Sequence, residues 1–196
     1  MLSQFITKIF QAPQIYQANQ WLWAGDFFKK IPELKQIKAD EKVLDIACGT
    51  SNASKYISGQ YYGVDLNNNY LKYARQKYPH NQYICQDYQK IDFPKKNFDK
   101  VLIVNFLHHL AGDEVNQLLS HVNTLAKDKI IIADLEPNPK NPLAKLLYSL
   151  DQGNFIRQPE ELTNIIKQHF DIEQTYSFFS PRHIYKHIVF ICKSRD

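Results

Sequence analysis

The sequence predicts an α/β fold: an open, twisted, mostly parallel seven-stranded sheet with helices on both faces and a C-terminal antiparallel hairpin. Three observations carry this. Short β-prone runs alternate with helix-like segments between Val43 and Asp134, the pattern of successive parallel β/α units. The fifth run, Lys129 to Asp134, holds a continuous apolar stretch, as expected of a parallel strand buried on both faces. After it the alternation stops, and two β segments, Ile172 to Phe179 and Ile184 to Cys192, flank Ser180-Pro181-Arg182, which reads as an antiparallel pair.

The first strand is Val43 to Ile46, after the polar turn Ala39-Asp40-Glu41-Lys42. A helix over Ser51 to Ile57 follows, ended by Gly59. The second strand, Tyr61 to Asp65, finishes on an acid. Asn67-Asn68-Asn69 caps a helix over Tyr70 to Lys77, and Pro79 stops it. The third strand is Gln82 to Cys85, and the fourth is Phe98 to Asn105. Asp113 to Ala126 is amphipathic, with Val115, Leu118, Leu119, Val122 and Leu125 on one face. Beyond the proline-punctuated loop Glu136 to Pro142, a short helix is predicted over Leu143 to Leu150 and a turn over Asp151 to Asn154. Pro159, with Glu160 and Glu161 behind it, opens a helix reaching Phe170. Upstream, Leu2, Phe5, Ile6, Ile9 and Phe10 recur at helical spacing. Past Pro13, the aromatic piece Tyr16, Trp21, Trp23, Phe27 and Phe28 suggests a second helix running to about Leu34. It either packs on the flank of the domain or covers a ligand cleft.

The chain has 196 residues and a formal net charge of +4, enough for one domain with a full core. Its lysines are spread along the chain, so no nucleic-acid partner is expected. There is no run of about 18 apolar residues, and no membrane span is expected. The first ten residues lack the basic start and small-residue cleavage site of a signal peptide. Cys48, Cys85 and Cys192 are isolated and odd in number, which argues against a disulfide framework and for a reducing, cytoplasmic setting.

In sheets of this kind ligands bind at the carboxyl ends of the strands. That brings together Asp45 to Thr50, Asp65, Asp87, and Asn105 to His109. A dinucleotide site would require Gly-x-Gly-x-x-Gly after the first strand; Ala47-Cys48-Gly49-Thr50-Ser51-Asn52 has one glycine. An acid at the mouth repels a pyrophosphate but suits a ligand carrying an ammonium and a sulfonium.

Residues 40–136 resemble the class I S-adenosylmethionine-dependent methyltransferases, in their small-molecule branch. The first motif of that family is commonly Leu-Asp-x-Gly-Cys-Gly-Thr-Gly. Leu44-Asp45-Ile46-Ala47-Cys48-Gly49-Thr50-Ser51 keeps the acid, Cys, Gly and Thr and replaces two glycines with Ala47 and Ser51. The segment Phe98 to Leu110 resembles the fourth strand of the same branch. The resemblance implies a Rossmann-like domain over residues 1–196, with 1–38 as a helical lid, 39–136 as the cofactor-binding core and 137–196 as substrate-side helices and hairpin. It implies S-adenosylmethionine as cofactor and S-adenosylhomocysteine as product. Asp45, Ala47, Cys48, Gly49, Thr50, Asp65, Leu66, Asp87, Tyr88, Asn105 and Phe106 would then form its site. Asp65 would accept from both ribose hydroxyls and Asp87 would lie beside the adenine amino group.

Methyl transfer is an in-line displacement, so the protein must align donor and acceptor, exclude water and in some cases remove a proton. His109, just past the fourth strand, is the candidate base, since an imidazole titrates near neutrality; the alternative is a histidine bonded to backbone. His108 ranks below it. Tyr16 is a candidate partner for His109. Trp21, Arg157 and Tyr185 are candidate substrate contacts: an indole for a cation, a guanidinium for a carboxylate or phosphate, and a phenol in the basic-aromatic patch around Arg182. Arg157 otherwise forms an ion pair with Glu160 or Glu161. Asp134, Glu136 and Asn105 have the chemistry of a divalent-metal set, but no metal is expected. The expected reaction is methylation of an O or N atom of a small or lipid-linked molecule, by a monomer or homodimer. The alternatives are a non-catalytic cofactor-binding subunit and an RNA or protein methyltransferase. The latter is disfavoured by Asn105-Phe106-Leu107-His108, where an Asn-Pro-Pro-aromatic run would stand.

Overall fold

The computed structural model describes residues 13–14, 22, 25–137 and 155–195. The expected first helix, Tyr16, Trp21, Trp23, the helix over Leu143 to Leu150 and the turn at Asp151 to Asn154 lie outside them.

Seven strands form one sheet: β1 (Lys42–Ile46), β2 (Gln60–Asp65), β3 (Gln82–Cys85), β4 (Phe98–Val104), β5 (Ala126–Glu136), β6 (Asp171–Phe179) and β7 (Lys186–Lys193). Their order is β3-β2-β1-β4-β5-β7-β6. The first five are parallel, and β7 runs antiparallel to both β5 and β6. The register places Asp45 beside Gly63 and Leu102. The chain reverses its direction of winding between β1 and β4, and the carboxyl ends of β1, β2, β3 and β4 converge there, as ligand-binding sheets require.

Three helices have recognisable causes. α1 (Asn68–Lys77) is capped by the Asn67 side chain, which accepts from the amides of Asn69 and Tyr70. α2 (Gly112–Leu125) buries the five expected apolar residues, and Glu114 reaches back to accept from the Ala111 amide at 2.8 Å. α3 (Pro159–His169) starts on proline with two acids in its first turn. α2 and α3 pack on one face of the sheet, over Leu44, Ile46, Val101, Ile103, Ile130, Ile132, Ile188 and Phe190. The other face carries Val43, Leu102, Ile131, Ala133, Val189 and Ile191 and is covered by Phe27, Ile31, Leu34 and Ile37.

Four local expectations change. The aromatic segment does not continue as a helix to Leu34; it forms two 3-10 turns, Phe27–Lys30 and Pro32–Gln36. Pro32 lacks an N–H and disfavours helical backbone at Ile31, whose φ and ψ are −113° and 82°. The segment after β1 is a 3-10 turn, Asn52–Tyr56, rather than a helix, because the left-handed Ser51 before it supplies no side-chain cap. β5 runs from Ala126 to Glu136, longer than its apolar core, since β7 pairs with it from Lys129 to Glu136. β7 starts at Lys186 because Tyr185 and Ser180 close the preceding turn through their own hydrogen bonds.

One buried polar group sits in the second face. His187 on β7 has no exposed surface. Its ring lies between Phe27, at 4.6 Å and 7°, and Phe178, at 5.3 Å and 16°. Neither ring nitrogen has a hydrogen-bond partner among the described residues. Burial pushes its pKa down to about 4, against the opposing attraction of Asp134; His108 adds to the lowering. An unfolded imidazole takes up a proton below about 6.5. Between that pH and 4 the unfolded chain therefore binds a proton the folded chain refuses, and stability falls as pH falls. A phenylalanine keeps both stacks and removes two unpaired nitrogens. His187→Phe is expected to raise the urea midpoint, by about 1–3 kcal/mol at neutral pH, with a margin over the wild type that widens from pH 6.5 to pH 4.

Candidate functional site

The site begins with an abrupt end to β1. Ala47, Gly49 and Ser51 all have left-handed backbone, with φ of 56°, 54° and 63°. The chain coils into a tight turn in which the Cys48 amide donates to Val64 O at 3.0 Å and the Ser51 amide to Cys48 O at 2.9 Å. All three left-handed positions are those where the resembling family has glycine, and at two of them Ala47 and Ser51 adopt the glycine conformation with a Cβ attached. Each such residue costs about 1–2 kcal/mol relative to relaxed backbone. Ser51 recovers part of this through its hydroxyl, which accepts from Tyr83 at 3.2 Å.

The turn is tied to β2. Asp65 Oδ2 accepts from the Gly49 amide at 2.8 Å, and Oδ1 accepts from the Asn67 amide at 2.7 Å. Both oxygens are thus engaged, yet each keeps a second lone pair. Burial raises the Asp65 pKa, and the two amides oppose the rise. Gly63 beneath it admits the Cys48 side chain: a Cβ at Gly63 would stand 2.7 Å from Cys48 Sγ. Nothing in the local sequence marks that contact, which joins residues fifteen positions apart.

Asp45 is 3 % exposed. Burial pushes its pKa up to about 7; a hydrogen bond from the Tyr61 hydroxyl opposes this, and the Asp65 charge adds to it. Tyr61 is a site residue that sequence reasoning missed, because it reaches Asp45 only through the pairing of β1 with β2. Cys48 is no nucleophile: burial, with Asp45 and Asp65 nearby, holds its thiol well above the usual range.

Above the turn lies a cleft of about 400 Å³, its open mouth included, lined by Phe27, Phe28, Asp45, Ala47, Cys48, Thr50, Asn52, Val104 and Asn105. Phe27 and Phe28 stack on each other at 4.2 Å and form one wall. Asn105, left-handed at φ 52°, donates its amide to Ala133 O at 2.8 Å, while its side-chain Oδ1 is buried without a hydrogen-bond partner among the described residues. Along the neighbouring strand ends, Leu66 is 67 % exposed. Asp87 accepts from the Gln89 amide and caps the turn Tyr88–Lys90. Tyr88 and Phe106 meet edge to face at 5.4 Å.

The acceptor-side expectations fare differently. His109 is exposed on the turn Leu107–His109, and its ring centroid lies 4.2 Å from that of His108. His108 is buried, with Nδ1 against Asp134 Oδ1 and its amide donating to Asp134 Oδ2 at 3.0 Å. Arg157 is not open to a substrate: it is 8 % exposed and its guanidinium donates to backbone carbonyls of Leu107, Leu110 and Phe155. Its carboxylate neighbour is Glu161, at 3.7 Å. Tyr185 packs edge-on to His187 at 6.5 Å and is not among the residues that line the cleft. Glu136 binds Lys186 and Ser177. Among the described residues no group of three His, Cys, Asp or Glu side chains is placed to hold a metal ion. No helix of the described residues is long and apolar enough to cross a membrane.

Residues 44–132 match a methyltransferase domain family. Over that stretch the chain is similar to methyltransferase domains. It is 32% identical over 77 residues to a fatty-acid O-methyltransferase of Mycolicibacterium smegmatis, covering 35% of this chain and 27% of that protein. It is 28% identical over 138 residues to a sterol 24-C-methyltransferase of Saccharomyces cerevisiae, covering 61% and 35%. The chain thus spans about a third or less of these relatives. Its fold matches that of magnesium protoporphyrin IX methyltransferase from Synechocystis with bound SAH, at a TM-score of 0.68 and 15% identity over 87% of this chain and 84% of that one.

Two outcomes are expected. Ala47→Gly relieves the left-handed Cβ and raises stability by about 1 kcal/mol in denaturant unfolding. A free carboxyl loses its proton near pH 4, whereas Asp45 keeps it to about 7. Stability therefore falls as pH rises through that window. Asp45→Asn is expected to abolish that fall, so its stability relative to wild type grows between pH 4 and pH 7.

Proposed function

We propose that this protein transfers the methyl group of S-adenosylmethionine to an oxygen or nitrogen of a small or lipid-linked acceptor. The observation that carries the proposal is the buried Asn105 Oδ1, without a hydrogen-bond partner among the described residues, an acceptor of a residue that lines the same cleft as Asp45. A lone buried acceptor calls for a donor, and an ammonium beside a carboxylate meets both groups. The donor set fits the rest of the cofactor: Asp65 retains lone pairs for ribose hydroxyls, and the exposed Leu66 offers an apolar platform for a base. The fatty-acid and sterol substrates named for two relatives support a lipid-linked acceptor.

When bound, S-adenosylmethionine supplies an electrophilic methyl group on a cationic sulfur. Asp45, Asp65 and Asn105 bind and orient it. The Phe27–Phe28 wall excludes water and offers ring faces to positive charge. His109, exposed at the carboxyl end of β4, takes the proton of a hydroxyl or ammonium acceptor; a base so placed contributes roughly 10²–10⁴-fold.

Calorimetric titration with S-adenosylmethionine and S-adenosylhomocysteine tests the cofactor. Leu66→Ser is expected to weaken binding about fivefold, the effect of some 1 kcal/mol of lost apolar burial, with no change in melting temperature. Asp65→Ala is expected to lose affinity about tenfold or more and to melt earlier, since two amides lose their acceptor. Absence of binding of either compound to the wild type would overturn the proposal.

A further inference from the structure

The turn that presents His109 is held from two opposite sides by buried charge. On one side is the Asp134 carboxylate at the end of β5, which takes the His108 amide, the His108 ring and the Leu135 amide at 2.7 Å. On the other is Arg157, which enters just before α3. Its Nη1 donates to Leu107 O at 2.9 Å and to Phe155 O at 3.2 Å, and its Nη2 donates to Leu110 O at 2.7 Å. The Phe155 amide completes the attachment by donating to His108 O at 3.0 Å.

Burying a guanidinium is expensive unless its donors are met. Here most of the compensation comes from carbonyl oxygens, because Glu161 is 3.7 Å away and largely exposed. A planar fork with five donors can bridge two carbonyls in a fixed relative orientation; a lysine cannot. The two carbonyls belong to Leu107 and Leu110, which bracket His108 and His109.

We propose that Arg157 is a positioning residue for the acceptor end of the site: by bridging Leu107 O and Leu110 O it sets the turn so that His108 meets Asp134 and His109 faces outward at the end of β4. The consequence for catalysis rests on the methyl-transfer reading; the positioning itself does not. A guanidinium that sequence reasoning offers to a substrate anion instead orders the backbone beneath the candidate base. Asp134 near the end of β5 and Phe155 just before α3 are thereby both attached to the same turn.

The test compares Arg157→Met and Arg157→Lys with Arg195→Met in isotope-labelled protein. Arg195 is the control: it donates to the carbonyls of Gln168 and Phe170 at the far end of α3, and to the Asp171 carboxylate. The readouts are the His108 ring N–H resonance, amide exchange at His109, Leu110 and Phe155, and the affinity for S-adenosylhomocysteine. In Arg157→Met the ring resonance is expected to shift or broaden and the three amides to exchange at least tenfold faster, with cofactor affinity within twofold of wild type. Arg157→Lys should show a smaller change of the same kind, and it decides the matter if Arg157→Met does not fold. Arg195→Met should lower the melting temperature without moving the ring resonance. An unchanged resonance in both Arg157 variants, or the same change in Arg195→Met, would overturn the proposal. Failure of the wild type to bind S-adenosylhomocysteine would remove the methyl-transfer reading alone.

Discussion

The hydrogen bond from the Gly49 amide to Asp65 Oδ2 is the contact on which the site depends. It joins the turn after β1 to the end of β2, and it holds a backbone stretch that three left-handed residues would otherwise let unwind. Parallel pairing of β1 with β2 brings the two partners within reach, and Gly63 leaves the space in which Cys48 seats. A turn built mostly from non-glycine residues in left-handed backbone is strained, and such strain persists only where the surroundings over-determine the conformation. Here the surroundings are the Asp65 carboxylate, the Val64 carbonyl and the Ser51–Tyr83 hydroxyl pair.

The same region carries a polar burden that the core does not neutralise. Asp45 is buried with the Tyr61 phenol against it, and Asn105 Oδ1 is buried without a hydrogen-bond partner among the described residues. Desolvation holds Asp45 as a neutral acid up to about pH 7 in the protein as it stands. A cationic ligand in the cleft would reverse that preference, since a positive neighbour favours the carboxylate. Ligand charge and Asp45 ionisation would then be linked. His187, buried between two aromatic rings on the β7 face, shifts in the opposite sense from the same physical cause: burial penalises whichever form is charged.

On the acceptor side the decisive feature is a division between two adjacent histidines. His108 is locked to Asp134, and His109 is exposed. The two rings lie against each other at 4.2 Å, the inner one on Asp134 and the outer one at the surface. Asp134 and Arg157 both hydrogen-bond this turn, through the His108 amide and the Leu107 and Leu110 carbonyls.

The sequence alone determined what is local. Hydrophobic periodicity placed α2 within a residue at each end, Asn67 announced α1, Pro159 announced α3, and the order of acids at the ends of successive strands located the site, because parallel units repeat the same geometry. Tertiary structure decided everything that needs a partner far along the chain. Pro32 and Ser51 turned two expected helices into 3-10 turns, while pairing with β7 lengthened β5. Tyr61 found Asp45 across a strand pair, and Arg157 found carbonyls some fifty residues away instead of a ligand. A side chain's chemistry is written in its identity, but its partner and its ionisation depend on burial and register, and those exist only once the sheet has formed.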